Sequence, residues 1–342
     1  MADITIYDIA REAGVSPATV SRVLTSKARV SDKKRILVEE IIRKHDFRPN
    51  EVARQLSRST RILGLMTADI RNPYYAALAV ECEKAANEQS YTVLLCNMFN
   101  DRALEDAHLE KLYAQRVEAI IQAGCRVDDL VTDPEYAEHI RRVTRTIPFI
   151  STGKLDGTGS YSVRINHYES MKLVMEHLVS LGHRDIAFIG GERRVQSTYE
   201  KLQQYIYLMG AYGLSFREEY IREGNYEESG GYRCMKELLD DHRAPTAVIA
   251  INDYSAIGAM RSVFDQGLTI PGDVSIVSFD NTFLSAAVHP RLTSVDYNYP
   301  EFGARLVHTA LQVIEKAPVE PVSLISPRLI IRDSSSCPKN RV

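Results

Sequence analysis

Tryptophan is absent from the 342 residues, and cysteine is sparse. The five cysteines, Cys82, Cys96, Cys125, Cys234 and Cys337, are scattered without C-x-x-C spacing. That pattern argues against a disulfide framework or thiolate metal site and for inert thiols in a reducing cytoplasm. No run approaches the roughly 18 apolar residues that a membrane span needs, so no membrane partner is expected. The opening MADITIYDIARE carries charge where an export signal would have an apolar stretch, which also points to the cytoplasm.

Catalytic signatures are missing as well. IGGERR has glycines after a strand, but not the G-x-G-x-x-G spacing that cradles a pyrophosphate. There is no P-loop, no H-E-x-x-H and no G-x-S-x-G elbow. The nine histidines are dispersed, and His183 in LGHRD follows a helix-ending glycine. The residues offer no catalytic group, no metal site and no cofactor, so the chain reads as a non-enzyme.

What is present is a soluble composition, 25% charged and 44% hydrophobic, over a length that suggests two or three domains. The net charge of −3 hides an asymmetry. Residues 1–61 carry 13 Lys or Arg against 8 Asp or Glu, and the remainder carries 29 against 37. A basic head on an acidic body suits a polyanion partner.

The head's pattern sharpens this. TIYDIAREAGVSPATVSRVL reads as helix, tight turn, helix. Thr5 is placed to cap, and Ile6, Ile9, Ala10 and Ala13 recur at helical spacing. Gly14 can take the left-handed conformation that stops the first helix. Ser16 caps a second helix with Pro17 in its first turn, where a missing N–H costs nothing. Val20, Val23 and Leu24 face inward, leaving Ser16, Ala18, Ser21 and Arg22 outward. That small face can enter a major groove, and Arg22 can grip guanine bidentately. SDKKRILVEEIIRKHDF supplies a third helix, capped by Ser31, with Ile36, Leu37, Ile41 and Ile42 closing the core.

From Ile62 onward short apolar runs alternate with longer amphipathic segments, in two successive series. Such alternation predicts two doubly wound α/β subdomains whose ligand would sit beyond the carboxyl ends of the strands.

The helix-turn-helix, the following RPNEVARQL and the body together resemble the LacI/GalR family of bacterial transcription regulators, from about Thr5 to Arg332. The resemblance implies a head at 1–48, a hinge helix and linker at 49–60, and a body at 61–342 similar to periplasmic sugar-binding proteins. In the body it implies an N-subdomain at about 61–161 and 292–322, and a C-subdomain at about 162–291 and 323–334. It implies contacts to double-stranded DNA, a near-palindromic operator, from Thr5, Ser16, Pro17, Ala18, Thr19, Ser21 and Arg22. Thr25 stands where the family usually has Asn. Asn50 would cap a hinge helix too short to hold alone in water. There Ala53 would allow close approach, and Leu56 would wedge into the minor groove. A homodimer follows, and the absence of a leucine heptad after SSSCPKNRV argues against coiled-coil tetramers.

For the cleft the resemblance implies Asn72 and Tyr74 after the first strand, then Asn252, Asp280 and the aromatic Tyr226. Amides, carboxylates and an aromatic face suit a sugar ring. Two positions depart from the family: Lys201 replaces an arginine and neutral Asn166 replaces an aspartate. With Arg71, Arg193 and Arg194 near the strand ends, these departures suggest an anionic sugar derivative. The chain is therefore expected to be a repressor of carbohydrate-utilisation genes whose operator affinity a small sugar-like effector modulates. A regulator of the same fold that answers to a protein partner is the alternative.

Overall fold

The computed structural model describes residues 6–25, 30–45, 60–240 and 244–339. The chain divides into two compact units, Met1–Thr60 and Arg61–Val342.

In the first unit, α1 (Ile6–Glu12), α2 (Pro17–Thr25) and α3 (Asp32–Lys44) form a three-helix head. Gly14, at φ +60°, ends α1: its N–H reaches the Arg11 carbonyl and the Val15 N–H reaches that of Ala10. The Ser16 hydroxyl accepts the Thr19 N–H at 3.2 Å, capping α2. Ile9, Ala10, Ala13, Val20, Val38 and Ile41 make the core, with Ile6, Val15, Val23 and Ile42 packed around it. Glu12 joins both ends of the head, accepting from Lys44 and pairing with His45 at 2.7 Å each. Two expectations fail here. Ile36 and Leu37 are 50% and 42% exposed, because the inward stripe of α3 runs through Val38, Ile41 and Ile42. Ser31 occupies the cap position of α3, but its hydroxyl makes no capping bond.

The second unit begins with β1 (Ile62–Thr67), α4 (Pro73–Glu88), β2 (Thr92–Asn97), α5 (Arg102–Ala114) and β3 (Ala119–Ala123). A 3-10 turn (Cys125–Asp128), α6 (Pro134–Thr144), β4 (Phe149–Ser151) and β5 (Tyr161–Ile165) follow. Then come α7 (His167–Ser180), β6 (Ile186–Ile189), α8 (Gln196–Ala211), β7 (Ile221–Arg222), α9 (Glu228–Asp240) and β8 (Ala247–Ala250). The chain closes with α10 (Asp253–Asp265), β9 (Ser275–Asp280), α11 (Phe283–Ala287), β10 (Thr293–Asp296), α12 (Tyr299–Ile314), β11 (Val322–Ile325) and β12 (Arg328–Ile330).

These strands build two six-stranded sheets, ordered β11-β5-β4-β3-β1-β2 and β12-β10-β9-β8-β6-β7. All neighbours pair in parallel except β12 with β10. Buried Leu63, Leu65, Ile121 and Val163 of the first sheet pack under Leu78 of α4 and Phe302 and Leu306 of α12. In the second, Ile186, Phe188, Ile249 and Val277 pack against Tyr205 and Leu208 of α8. The opposite face buries Val248 and Ile276 against Met235 and Met260.

The ladders correct three expected boundaries. β5 belongs to the first sheet, between β4 and β11, although residues from 162 onward were placed in the second subdomain. β10 pairs with β9 in the second sheet, although 292–322 was placed in the first. β11 returns to the first sheet, although 323 onward was placed in the second. Strands of four or five residues look alike in sequence, and only long-range pairing decides which sheet takes them. The chain thus crosses between subdomains after β5, after β10 and between β11 and β12. Among the described residues no helix is long and apolar enough to cross a membrane.

Candidate functional site

The carboxyl ends of both sheets open into a cleft of about 670 Å³. The first subdomain contributes the loop after β1 and the 3-10 turn after β3; the second contributes the start of α8 and the residues after β8, β9 and β10. Gly124, at φ +80°, makes the turn after β3 possible. A Cβ there would lie 2.4 Å from the Tyr75 hydroxyl and 2.6 Å from the Ala68 Cβ.

That turn is clamped from behind. Arg126 lies 3.9 Å over the Tyr136 ring and pairs with Glu105 at 2.7 Å and with Asp106. Gln122 donates to Glu105 and accepts from the Tyr136 hydroxyl at 2.7 Å. The clamp aims Asp128 into the cleft, where burial raises its pKa to about 6 against the pull of Lys201 and Arg164.

Lys201 enters from α8, 4% exposed, with its ammonium 4.8 Å over the Phe279 ring. Burial lowers its pKa to about 8, although Asp280, Asp128 and Glu200 hold the proton. Its neighbour Glu200 pairs with Arg164 of β5, an ion pair between the two subdomains. Asp280 stands at φ +99° and Asn281 at φ +51°, two strained non-glycine residues in succession, a feature that clusters at functional sites. Arg332 steadies this turn, donating to Asn281 at 2.7 Å and to the Leu292 carbonyl at 2.7 Å. Burial and the nearby Asp253 raise the Asp280 pKa well above the carboxylate range. Asp253 itself is satisfied, accepting from Ser278, Ser294 and the Thr282 N–H and hydroxyl.

Of the cleft residues expected from sequence, Arg71, Asn72, Tyr74, Lys201, Tyr226, Asn252 and Asp280 do line the cavity. Asn72 also caps α4, accepting the Tyr74 N–H. Asn252 caps α10 and donates to the Tyr226 carbonyl at 3.0 Å. Asn166 is a correction: it caps α7, accepting the Glu169 N–H at 3.1 Å, and the residue reaching the cavity is the next one, His167.

The arginine argument for an anion is also corrected. Arg71 is held by Asp69 and Arg194 by Glu192, at 2.5 Å each. Arg193 lies outside the cavity lining and pairs with Glu218 and Glu223. Even Arg102, at the rim, is paired with Asp129 at 2.9 Å. The positive charge visible in sequence is answered by carboxylates two residues away or far along the chain.

Asp128, His167 and Tyr297 were not anticipated. Asp128 follows a buried strand, and the rule that ligands gather beyond strand ends could have found it. Nothing local marks His167 or Tyr297. Among the described residues no group of His, Cys, Asp and Glu is arranged to hold a metal ion.

On the head, Ser16, Ala18, Ser21 and Arg22 lie on the exposed side of α2, with Pro17 and Thr19 half-buried at its start. Thr5, Asn50, Ala53 and Leu56, and the expected hinge helix with them, lie outside the described residues.

A helix-turn-helix head joined to a two-sheet body with a polar cleft defines a DNA-binding regulator with a ligand-binding domain. Residues 5–50 match the family model for bacterial regulatory proteins of the lacI family, and residues 175–335 match that for a periplasmic binding protein-like domain. Catabolite control protein A of Priestia megaterium is 32% identical over 93% of this chain and 95% of its own. The HTH-type transcriptional repressor PurR of Pasteurella multocida is 30% identical over 96% of this chain and 98% of its own. The crystal structure of the Lac repressor dimer, bound to operator and the anti-inducer ONPF, superposes with a TM-score of 0.87. It is 27% identical, covering 98% of this chain and all of that one. The chain belongs to the LacI family of bacterial regulatory proteins. It is a transcriptional regulator and not an enzyme.

Proposed function

We propose that this regulator is a repressor that binds a near-palindromic operator as a homodimer, and that a neutral, polyhydroxylated, sugar-like effector in the cleft sets its operator affinity. The charge arrangement of the cleft carries this reading. Its arginines are paired with carboxylates, and its inner wall sets Asp128 and Asp280, whose carboxyl burial holds toward the neutral form, beside the ammonium of Lys201. Carboxylates accept from hydroxyls and the ammonium donates to them, while Tyr74 and Tyr226 offer aromatic faces. An anionic ligand would meet the half-buried Asp128 carboxylate beside the lysine, which offsets the cation that its desolvation needs. The DNA side of the proposal rests on the outward face of α2, with Ser16, Pro17, Ala18, Thr19, Ser21 and Arg22 as its contacts.

Thermal-shift screening of the full chain against neutral sugars, sugar acids and sugar phosphates tests the effector. Stabilisation by a neutral sugar, with its acid and phosphate forms inert, is the expected result. Stabilisation by the charged forms alone would reject it. Mobility shift of an operator fragment with and without the stabilising compound then tests the coupling, expected at about 1–3 kcal/mol.

A further inference from the structure

Two polar groups in the cleft have no partner among the described residues. Tyr297 is 2% exposed and lines the cavity, yet its hydroxyl makes no hydrogen bond. His167 lines the same cavity with a half-buried ring whose Nδ1 is shut off from solvent and equally unpartnered. The two rings meet edge to face, centroids 6.1 Å apart, and Tyr74 packs edge to face against Tyr297 at 6.2 Å. Most buried polar side chains are hydrogen-bonded, so a neighbouring pair of unpartnered groups on residues that line a cavity marks a place for ligand.

We infer that Tyr297 and His167 together form a specificity subsite that takes one uncharged hydroxyl of the effector. The inference rests on the reading above that a polyhydroxylated small molecule occupies this cleft. A hydroxyl is both donor and acceptor, and so are a tyrosine O–H and a neutral imidazole, so one ligand hydroxyl can satisfy both groups.

The surroundings keep the imidazole neutral. Burial, the Lys201 ammonium and the Arg164 guanidinium push His167 well below its ordinary pKa, and the ring sits in the first turn of α7, where the helix dipole opposes a cation. Lys201 also stands 5.9 Å over the Tyr297 ring, so a face of that ring is covered. Asp128 lines the same cavity, and its charge disfavours a carboxylate or phosphate oxygen beside Tyr297. The two residues come from the crossings between subdomains, His167 just after β5 and Tyr297 just after β10. A hydroxyl held by both therefore also bears on the segments that join the two subdomains.

Isothermal calorimetry on the full chain tests this with D-glucose, D-galactose and D-mannose and, for any that binds, each of its monodeoxy forms. Tyr297→Phe, which keeps the ring and its packing, and His167→Ala should each weaken the binding hexose at least 10-fold. One monodeoxy form should bind the wild-type chain as weakly as the hexose binds the variants, and should lose nothing further in them. His167→Asn, which retains a donor and an acceptor, should recover part of the loss. Variants that bind the hexose as tightly as the wild type would overturn the subsite and leave the sugar reading standing. So would deoxy forms that all lose affinity equally in wild type and variants. A wild-type chain that binds none of the hexoses would overturn the sugar reading and the subsite with it.

Discussion

Asp128 and Lys201 face the same cleft from opposite subdomains, and burial works against the charge of each. Asp128 holds its proton up to a pH of about 6, and Lys201 gives its proton up near 8. Both are charged only between those values.

The linkage predicts a gain from removing the carboxylate. With its folded pKa raised, Asp128 binds more protons in the folded than in the unfolded chain between the ordinary carboxylate range and about pH 6. Stability therefore rises as pH falls through that window, and at pH 7 the ionised group is a net cost. Asp128→Asn should stabilise the body at pH 7 by about 1–2 kcal/mol, the raised pKa being discounted because the side chain is only half-buried. The advantage should shrink at pH 5. Urea melts at the two pH values check it, and a variant less stable at pH 7 would refute the account. The same substitution should weaken effector binding, so stability and function separate at this residue.

The clamp around Arg126 makes the opposite prediction. Arg126→Met leaves Glu105, 0% exposed, without its cation. Breaking a buried pair from one side costs about 3–5 kcal/mol, and pairing it with Glu105→Gln should recover part of that. Denaturation of the two single variants and the double measures the coupling. Additive losses would mean that the pair does not act as a unit.

Gly124→Ala asks for a side chain where the backbone is left-handed and the Tyr75 hydroxyl already stands. The strain and the overlap should cost about 2 kcal/mol or more and shift the turn that carries Asp128. Melting temperature and effector affinity should fall together. Unchanged affinity would show that the turn does not position the cleft.

On the head, Arg22→Ala should cost on the order of 1–3 kcal/mol on the specific operator and relax its sequence preference. Fluorescence anisotropy on operator and random duplexes separates the cases. Equal weakening on both would show that Arg22 holds phosphate and does not read bases.

The head and the layering of the body were legible in sequence because their causes are local. Helical spacing of Ile9, Ala10 and Ala13, a glycine able to turn left-handed and a serine ahead of Pro17 act within a few residues of one another. Their combination left few alternatives. Ile36 and Leu37 misled because five apolar residues on α3 exceed what two short helices can cover, and only packing chose Val38, Ile41 and Ile42.

The cleft divides along the same line. The resemblance to the LacI/GalR family named Asn72, Asn252 and Asp280, and each sits at a strand end or helix cap that local sequence sets. Charge balance is a sum over neighbours in space. Arg193 meets Glu218 and Glu223, Arg164 meets Glu200 across two subdomains, and Arg126 meets Glu105 behind the turn. None of those pairings is written in local pattern, so a cleft that looked cationic in sequence proved to be compensated. Short-range propensity determined the elements and the class of protein. Tertiary structure decided which strands share a sheet and which charges remain for a ligand, because both depend on residues far apart in the chain meeting in space.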